Sequence, residues 1–450
     1  MKNLSWLALC FCVSIMASLH ACNDAMGEVS VVDYPSIQAA IDANPGKMIY
    51  VPSGKYVIEK RIVLNKPDCG LFGPGTILQN NPKEPILEIE HAQNVVVRDL
   101  TLTRTDESKD CTNAGILAAD CEDLCIENVR ILDNRSQSAA ITLRDSRNCR
   151  ISHCLVRNYM RIAIDDRTAS PHYGYAFHCI DGTGIAVFTC TGTIIQGNRV
   201  IEKELLPTPE IKEKYRLGSF TQKNAQKGSI ISQETWDSDY VNNWHQGSAI
   251  IVTSPKSSDC TQIVGNMIEN AAQGIDIHSD HVIVSQNIVN NAFMGMKAMH
   301  GSRNVLIIGN QFIKNDLWSI GLMPGAASHA AGFEENGQIN ETANCDGGSI
   351  IANNIISDFG YGHAHWIWGD NGSPLKFDNG QLPHNPPLAN VVISNNVVYD
   401  LGREPGNPEG EPRYQYAVII AGGTGEPQNL RFSNNIFPPG QSGICNAKIE

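Results

Sequence analysis

From Asp99 onward the chain repeats one short pattern: a β-branched triplet, a polar or small residue, then two apolar residues. It reads VVVRDLTL, LCIENVRI, CRISHCLV, TIIQGNRV, QIVGNMIE, VIVSQNIV, LIIGNQFI, IIANNIIS, VVISNNVV and RFSNNIF. The polar anchors are Asp99, Asn128, Cys154, Asn198, Asn266, Asn287, Asn310, Asn354, Asn396 and Asn435, spaced by 29, 26, 44, 68, 21, 23, 44, 42 and 39 residues. The spacings of 21 and 23 define a unit of about 22 residues, and the longer ones are that unit with an insertion, or two units. Short alternating strands at such a period predict a parallel β-helix, in which each coil leaves its edges unpaired until the next stacks on it. Asn side chains can then bond in a ladder at the tight turn. A propeller is the rival, but its units are antiparallel and run ~40 to 45 residues.

A second pattern precedes the first by one turn: AAITLR, TGIAVF, SAIIVT, QGIDIH, MGMKAM, WSIGLM, AHWIW and YAVIIA. Alternation sends every other residue inward. With Ile275 and Ile277 inside, two outward columns follow. One is Thr142, Ala186, Ile251, Asp276, Lys297, Gly321, Trp366, Ile419; the other is Arg144, Phe188, Thr253, His278, Met299, Met323, Trp368, Ala421. Long segments near 203–247, 325–347, 370–388 and 403–414 interrupt the repeat around this face. Loops beyond ~12 to 15 residues without structure of their own are often functional, which places a cleft over the middle of this sheet.

At the start, Ser36 to Ala43 has an N-cap serine, apolar residues at helical spacing and a stop at Pro45-Gly46, predicting a short capping helix over the first coil. The order helix, VPSGKY, Gly73-Pro74-Gly75, then Asn-bearing coils resembles the pectate-lyase-like superfamily of right-handed β-helices. The resemblance implies an all-β, single-domain fold, and specifies fold better than reaction.

The 450 residues are 42% apolar and 18% charged, with 39 Gly and 22 Pro, a folded and turn-rich composition. A net charge of −13 excludes nucleic acid as a general partner, which needs a basic field. Lys2, the apolar run Leu4 to Leu19 and the segment Leu19-His20-Ala21-Cys22 have the layout of a signal peptide ending in a bacterial lipobox. The expectation is an exported lipoprotein of the outer membrane, anchored through an acylated Cys22 and facing the cell surface or periplasm. Residues 22–450 would then form one β-helix domain and act as a monomer, one unit more negative than the whole chain. Of 14 cysteines, Cys10 and Cys12 leave with the signal and Cys22 is acylated. The remaining 11 cannot all pair, and are read as buried thiols; Cys121 and Cys125 lack the partners of a zinc site.

Cleavage of a uronic-acid polysaccharide by β-elimination needs neutralisation of the C6 carboxylate, a base for the C5 proton and a proton for the leaving oxygen. Lys256, His278, Lys297 and His300 are the candidates for these catalytic roles. Arg144, Trp244, His245, Asp276, Arg303, His329 and Trp366 are the candidates for binding an acidic polysaccharide. Segment 203–247 adds Lys203, Lys212, Lys214, Arg216, Lys223 and Lys227 beside aromatic residues, a combination suited to an anionic sugar chain, or simply a solvated lid. Asp276 beside Lys297 can also be read as a plain cross-strand ion pair.

The stretches SAIIVTSPKSSDCTQIVGN, QGIDIHS, GMKAMHGSRNVLIIGN, LMPGAASH and SIIANN, within residues 248–356, are similar to the chondroitinase B and alginate lyase family. That resemblance puts Lys256 at the family's catalytic lysine and His278 where the family has a catalytic arginine. It also implies acidic calcium ligands just before the lysine, where this chain has Gln246 and Ser248, so no cofactor or metal is assigned. A glycoside hydrolase is the alternative. Asp165-Asp166 and Met299-His300-Gly301 resemble elements of the polygalacturonase type, although the Asn-Thr-Asp of that type is missing. A non-catalytic glycan-binding β-helix is the third reading, and a C5-epimerase would begin with the same proton abstraction as a lyase.

Overall fold

The computed structural model describes residues 29–254, 258–362, 372–378, 380, 382, 384–400, 412–421 and 426–449. Lys256, Trp366, Trp368, His363, His365 and Cys22 lie outside the described residues.

The chain winds as a parallel β-helix with three long sheets of 13, 11 and 12 strands among the described residues. One coil shows the plan. Ile283–Ser285 runs in sheet 1, Ile288–Asn290 in sheet 2 and Met294–Ala298 in sheet 3, before Leu306–Ile308 re-enters sheet 1. Each strand pairs in parallel with its equivalent one coil away, as in Ile283↔Leu306, Ile288↔Gln311 and Asp276↔Lys297. Apolar residues of alternate positions, among them Val284, Val289, Ile275, Met296 and Ile320, stack inside with no exposure. Stacking them along one axis lets a chain of this length share a single continuous core.

The corner between sheets 1 and 2 takes two residues. The first is left-handed, at Gln286 (φ 57), Gly265 and Gly309 (both φ 67) and Asn353 (φ 56), a conformation that favours Gly and Asn. The second is the ladder asparagine. Nδ2 of Asn198, Asn266, Asn287, Asn310, Asn354 and Asn396 each donates to Oδ1 of the next member, ending at Asn435, over 2.9–3.0 Å. The same Oδ1 accepts the backbone N–H of the preceding member, as Asn287 does from Asn266 at 2.9 Å. Asp99 and Asn128 do not belong to this ladder. They occupy the left-handed position (φ 64 and 51), and the ladder positions after them are the buried Leu100 and Val129. Cys154, also buried, begins the polar run by donating its N–H to Asn198 Oδ1 at 2.9 Å.

The long spacings resolve as single coils carrying insertions. Asn198 and Asn266, 68 residues apart, are ladder neighbours, as are Asn310 and Asn354, 44 apart. The insertions flank sheet 3. Before it stand the antiparallel hairpin Arg161–Asp166 with Tyr175–Asp181, and a segment with helices Pro209–Tyr215 and Gln233–Ser238. After it stands the hairpin of Gly332–Phe333 with Ile339–Glu341. The capping helix runs Ile37–Ala43 and buries Ile37, Ala40 and Ile41, with the Ser36 hydroxyl accepting the Ala39 N–H at 3.1 Å.

The alternation misplaces one strand of sheet 3. The strand following Trp318–Leu322 is Ser373–Asp378, with Leu375 and Phe377 inward, rather than AHWIW. Lys376 therefore holds the column position given to Trp366, and Asp378 that given to Trp368. The segment near 370–388 is thus partly coil. Of the 11 cysteines described, all are free thiols, and Cys69, Cys111, Cys121, Cys149, Cys154, Cys179 and Cys190 are buried. No helix among the described residues is long and apolar enough to cross a membrane.

Candidate functional site

The outer face of sheet 3 carries the charged cluster. Parallel pairing aligns Ile251, Asp276, Lys297, Gly321 and Lys376 in one column, and Arg144, Phe188 and Thr253 in the next, with His278 following Thr253. Strands in register stand ~4.8 Å apart, close enough for neighbouring side chains in a column to touch.

Asp276 is the hub, only 3% exposed. Its Oδ2 lies 3.3 Å from Lys297 Nζ and accepts from the Ser248 hydroxyl at 3.4 Å. Its Oδ1 lies 2.9 Å from His278 Nε2, an ion-pair distance at which the two atoms are not aligned for a hydrogen bond. Burial pushes the Asp276 carboxyl up, but His278 and Lys297 outweigh it and hold the group well below the usual carboxylate range. Asp276 is therefore an anion fixed between two potential cations. The other ring nitrogen of His278, Nδ1, is 3.2 Å from the Thr253 hydroxyl.

The His300 ring meets that of His278 edge to face, with centroids 4.5 Å apart. Burial, then the neighbouring His278 and Lys297, lower the His300 pKa to about 4. The ring is thus neutral at ordinary pH. Its Nδ1 accepts the Ala327 N–H at 3.2 Å, which leaves the proton on Nε2. The insertion after Leu322 forms this wall. A Cβ on Gly325 would fall 2.2 Å from His300 Nδ1, so only glycine lets the backbone lie there. Asn344 Nδ2 ties the wall down through the carbonyls of His300 (2.9 Å) and Ala327 (2.7 Å).

His278, Lys297, His300 and Asp276 are thus brought together. Lys256 follows the adjoining strand Ser248–Thr253 by three residues, outside the described residues. Arg144 shares the His278 column three strands away, ~14 Å, with its guanidinium 4.7 Å above the Phe188 ring. The remaining candidates are placed elsewhere. Arg303 lies in the turn towards sheet 1 and binds Asp280 Oδ2 through Nε (3.1 Å) and Nη2 (2.6 Å). Trp244 and His245 are buried, the His245 ring against Phe293 at 3.6 Å, and burial with Lys212 nearby drives the His245 pKa well down. His329 sits on the insertion hairpin, its Nε2 3.4 Å from Glu341. Lys376, Asp378 and Trp318 were not singled out from the sequence. Continuing the Leu375/Phe377 alternation would have found the first two.

Asp165 and Asp166 lie on the inserted hairpin rather than on a coil. Asp165 binds Arg167, and Asp166 accepts from Thr168. On the outer face of sheet 3 itself, Asp276 and Asp378 stand three strands apart, ~14 Å, beyond the ~5 to 9.5 Å of a glycosidase carboxylate pair. The residues before Lys256 do not fit a calcium site. Gln246 donates its amide to Asn243, Ser248 donates to Asp276, and Asp276 is already engaged by Lys297 and His278. Among the described residues no group of three His, Cys, Asp or Glu side chains is placed to hold a metal ion.

The chain belongs to the right handed beta helix region family, whose model matches residues 75–312, more than half of its length. No curated protein sequence matches it. Among solved structures it is similar to the Agl-KA catalytic domain, at 11% identity and TM-score 0.54, over 94% of this chain and 68% of that one. It is also similar to the catalytic unit of a thermostable GH87 alpha-1,3-glucanase from Streptomyces thermodiastaticus strain HF3-3, at 12% identity and TM-score 0.53, over 92% and 69%. A mannuronic acid specific polysaccharide family 6 lyase enzyme from human gut microbiota follows at 14% identity and TM-score 0.48, over 92% and 80%. At such identities the likeness is one of fold.

Proposed function

We propose that the chain is a polysaccharide lyase that cleaves a uronic-acid-containing glycan by β-elimination over sheet 3. The observation that carries this reading is the Asp276–His278–Lys297 cluster: a buried anion holding an imidazole and an ammonium side by side on an outward face flanked by insertions. Lys297 directs one contact to Asp276, and an ammonium has three donors. It can therefore meet the C6 carboxylate and stabilise the charge that develops when C5 loses its proton. With its proton on Nε2, towards Asp276, the His278 ring keeps the lone pair on Nδ1, which now meets the Thr253 hydroxyl and is the base that takes the C5 proton. The electron pair left at C5 then forms the C4=C5 double bond as the C4–O bond breaks, and that bond's own pair leaves on the oxygen. Lys256, by its resemblance, and the Nε2–H of neutral His300 are the groups that can protonate it.

The test is incubation with chondroitin, hyaluronan, alginate and pectate while following ultraviolet absorbance from unsaturated uronides. Absorbance that rises with the native chain and not with His278→Ala or Lys256→Ala is expected. New reducing ends without absorbance would instead indicate hydrolysis, and neither signal would indicate binding alone. We further propose that this chemistry takes place outside the cytoplasm, on a protein anchored through Cys22.

A further inference from the structure

Lys297, Gly321 and Lys376 occupy successive positions of one outward column, so the two lysines stand two strand spacings apart, roughly 9.6 Å. No cation lies between them in that column. The space above Gly321 is taken by the Trp318 indole, since a Cβ on Gly321 would fall 2.8 Å from its Nε1. The same ring lies 5.2 Å from the Lys376 ammonium, fixing its position by a cation–π contact. Trp318 is 6% exposed, and its buried Nε1 has no hydrogen-bond partner among the described residues. A buried indole N–H normally finds one, so an unmade donor facing the gap between two lysines points to a missing acceptor. Each lysine has one acid beside it, Asp276 at 3.3 Å from Lys297 and Asp378 at 3.7 Å from Lys376, which leaves donors on both for a ligand.

We propose that Lys376 and Trp318 form a second sugar subsite, which, resting on the lyase reading, selects a polymer carrying a uronate at every second residue. One pyranose of an extended 1,3- or 1,4-linked chain advances by about one strand spacing. A chain lying along the column with one carboxylate at Lys297 thus brings the residue two units away to Lys376, and the intervening sugar over the Trp318 indole that covers Gly321. That middle sugar meets a neutral donor, the indole N–H, which donates to a hydroxyl or acetamido oxygen. A homopolymeric uronan would instead place a carboxylate where no cation answers it.

The experiment compares unsulfated chondroitin oligosaccharides with galacturonate and mannuronate oligosaccharides of equal length on the full chain, Lys376→Met and Trp318→Phe. Lys376→Met should raise KM for the alternating oligosaccharide roughly tenfold, with a smaller effect on kcat, and erase the preference over the uronans. Trp318→Phe, which keeps the ring, should weaken the same substrate several-fold. A native chain that prefers a uronan, with Lys376→Met unchanged on chondroitin, would overturn the subsite while leaving the lyase reading standing. If no polymer is cleaved, the lyase reading fails, and retardation in chondroitin-containing native gels decides the subsite. Retardation lost in Lys376→Met supports it, and retardation equal to that of the native chain, or none in either, overturns it.

Discussion

Replacing Asp276 by Asn keeps the shape of the hub and removes its charge. The native carboxylate touches His278 Nε2 at 2.9 Å and Lys297 Nζ at 3.3 Å, and is 3% exposed. In Asp276→Asn the imidazolium formed on taking the C5 proton loses its counter-charge, while Lys297 still faces substrate. General acid–base assistance contributes about 10²- to 10⁴-fold, and removing its orienting anion should lower kcat by about 10²- to 10³-fold with a smaller change in KM. Stability should change as well. The Asp276 pKa is lower in the fold than in the unfolded chain, so its contribution is present above the unfolded value near ~4 and is lost as pH falls towards the folded value. A charged contact of this kind is worth about 1–3 kcal/mol. The variant should therefore be less stable than the native chain by that order at pH 7, with the gap narrowing in acid below about pH 4. Initial rates from uronide absorbance and denaturant midpoints at the two pH values measure both effects. A kcat within about threefold of native, or a stability gap that does not depend on pH, would refute the role given to Asp276.

Three further outcomes are expected. Asn287 makes or accepts four side-chain hydrogen bonds, with Asn266 (two), Ile263 and Asn310, so Asn287→Ala should cost about 2–5 kcal/mol in denaturant unfolding, and a loss under about 1 kcal/mol would contradict the ladder's importance. Burial raises the Asp346 pKa to about 7, against hydrogen bonds from Ser328, Gly301 and Ser302 that lower it. The folded state thus holds its proton longer than the unfolded chain, and stability falls as pH rises from about 4 through about 7. Asp346→Asn should flatten that dependence and be the more stable form at pH 8; an unchanged pH profile would count against the assignment. Cys22→Ser should move the protein from the membrane to the soluble fraction on cell fractionation, and persistent membrane association would reject the anchor.

The coil repeat was readable because a β-helix imposes one inward residue in two and one small corner per coil, and both leave a one-dimensional trace. The corner's two positions were harder to separate. Asp99 and Asn128 are polar because a left-handed residue is needed there, whereas Asn198 and its successors are polar because their amides bond along the stack. Both demands put Asn in neighbouring positions. The columns through Asp276, His278 and Lys297 followed from alternation alone, since the strands between them carry no insertion. Past Leu322 the phase was lost. Two apolar stretches, AHWIW and SPLKFD, compete for the next coil, and pairing with Trp318–Leu322 is what selects the second. His245 and Arg303 illustrate a different limit. Residue type marked them as binders, but the His245 ring is packed inside against Phe293, and Asp280 engages the Arg303 guanidinium. Neither contact has a signature in local sequence.

Bond cleavage over sheet 3 is proposed to be an elimination initiated at C5. The most direct measurement is mass spectrometry of the products formed in water enriched in heavy oxygen. Elimination leaves the C4–O bond's oxygen on the released chain and takes no oxygen from solvent, so unlabelled products with an unsaturated uronide at the new end are expected. Heavy oxygen incorporated at the new reducing end, with no unsaturated product, would contradict it and assign hydrolysis.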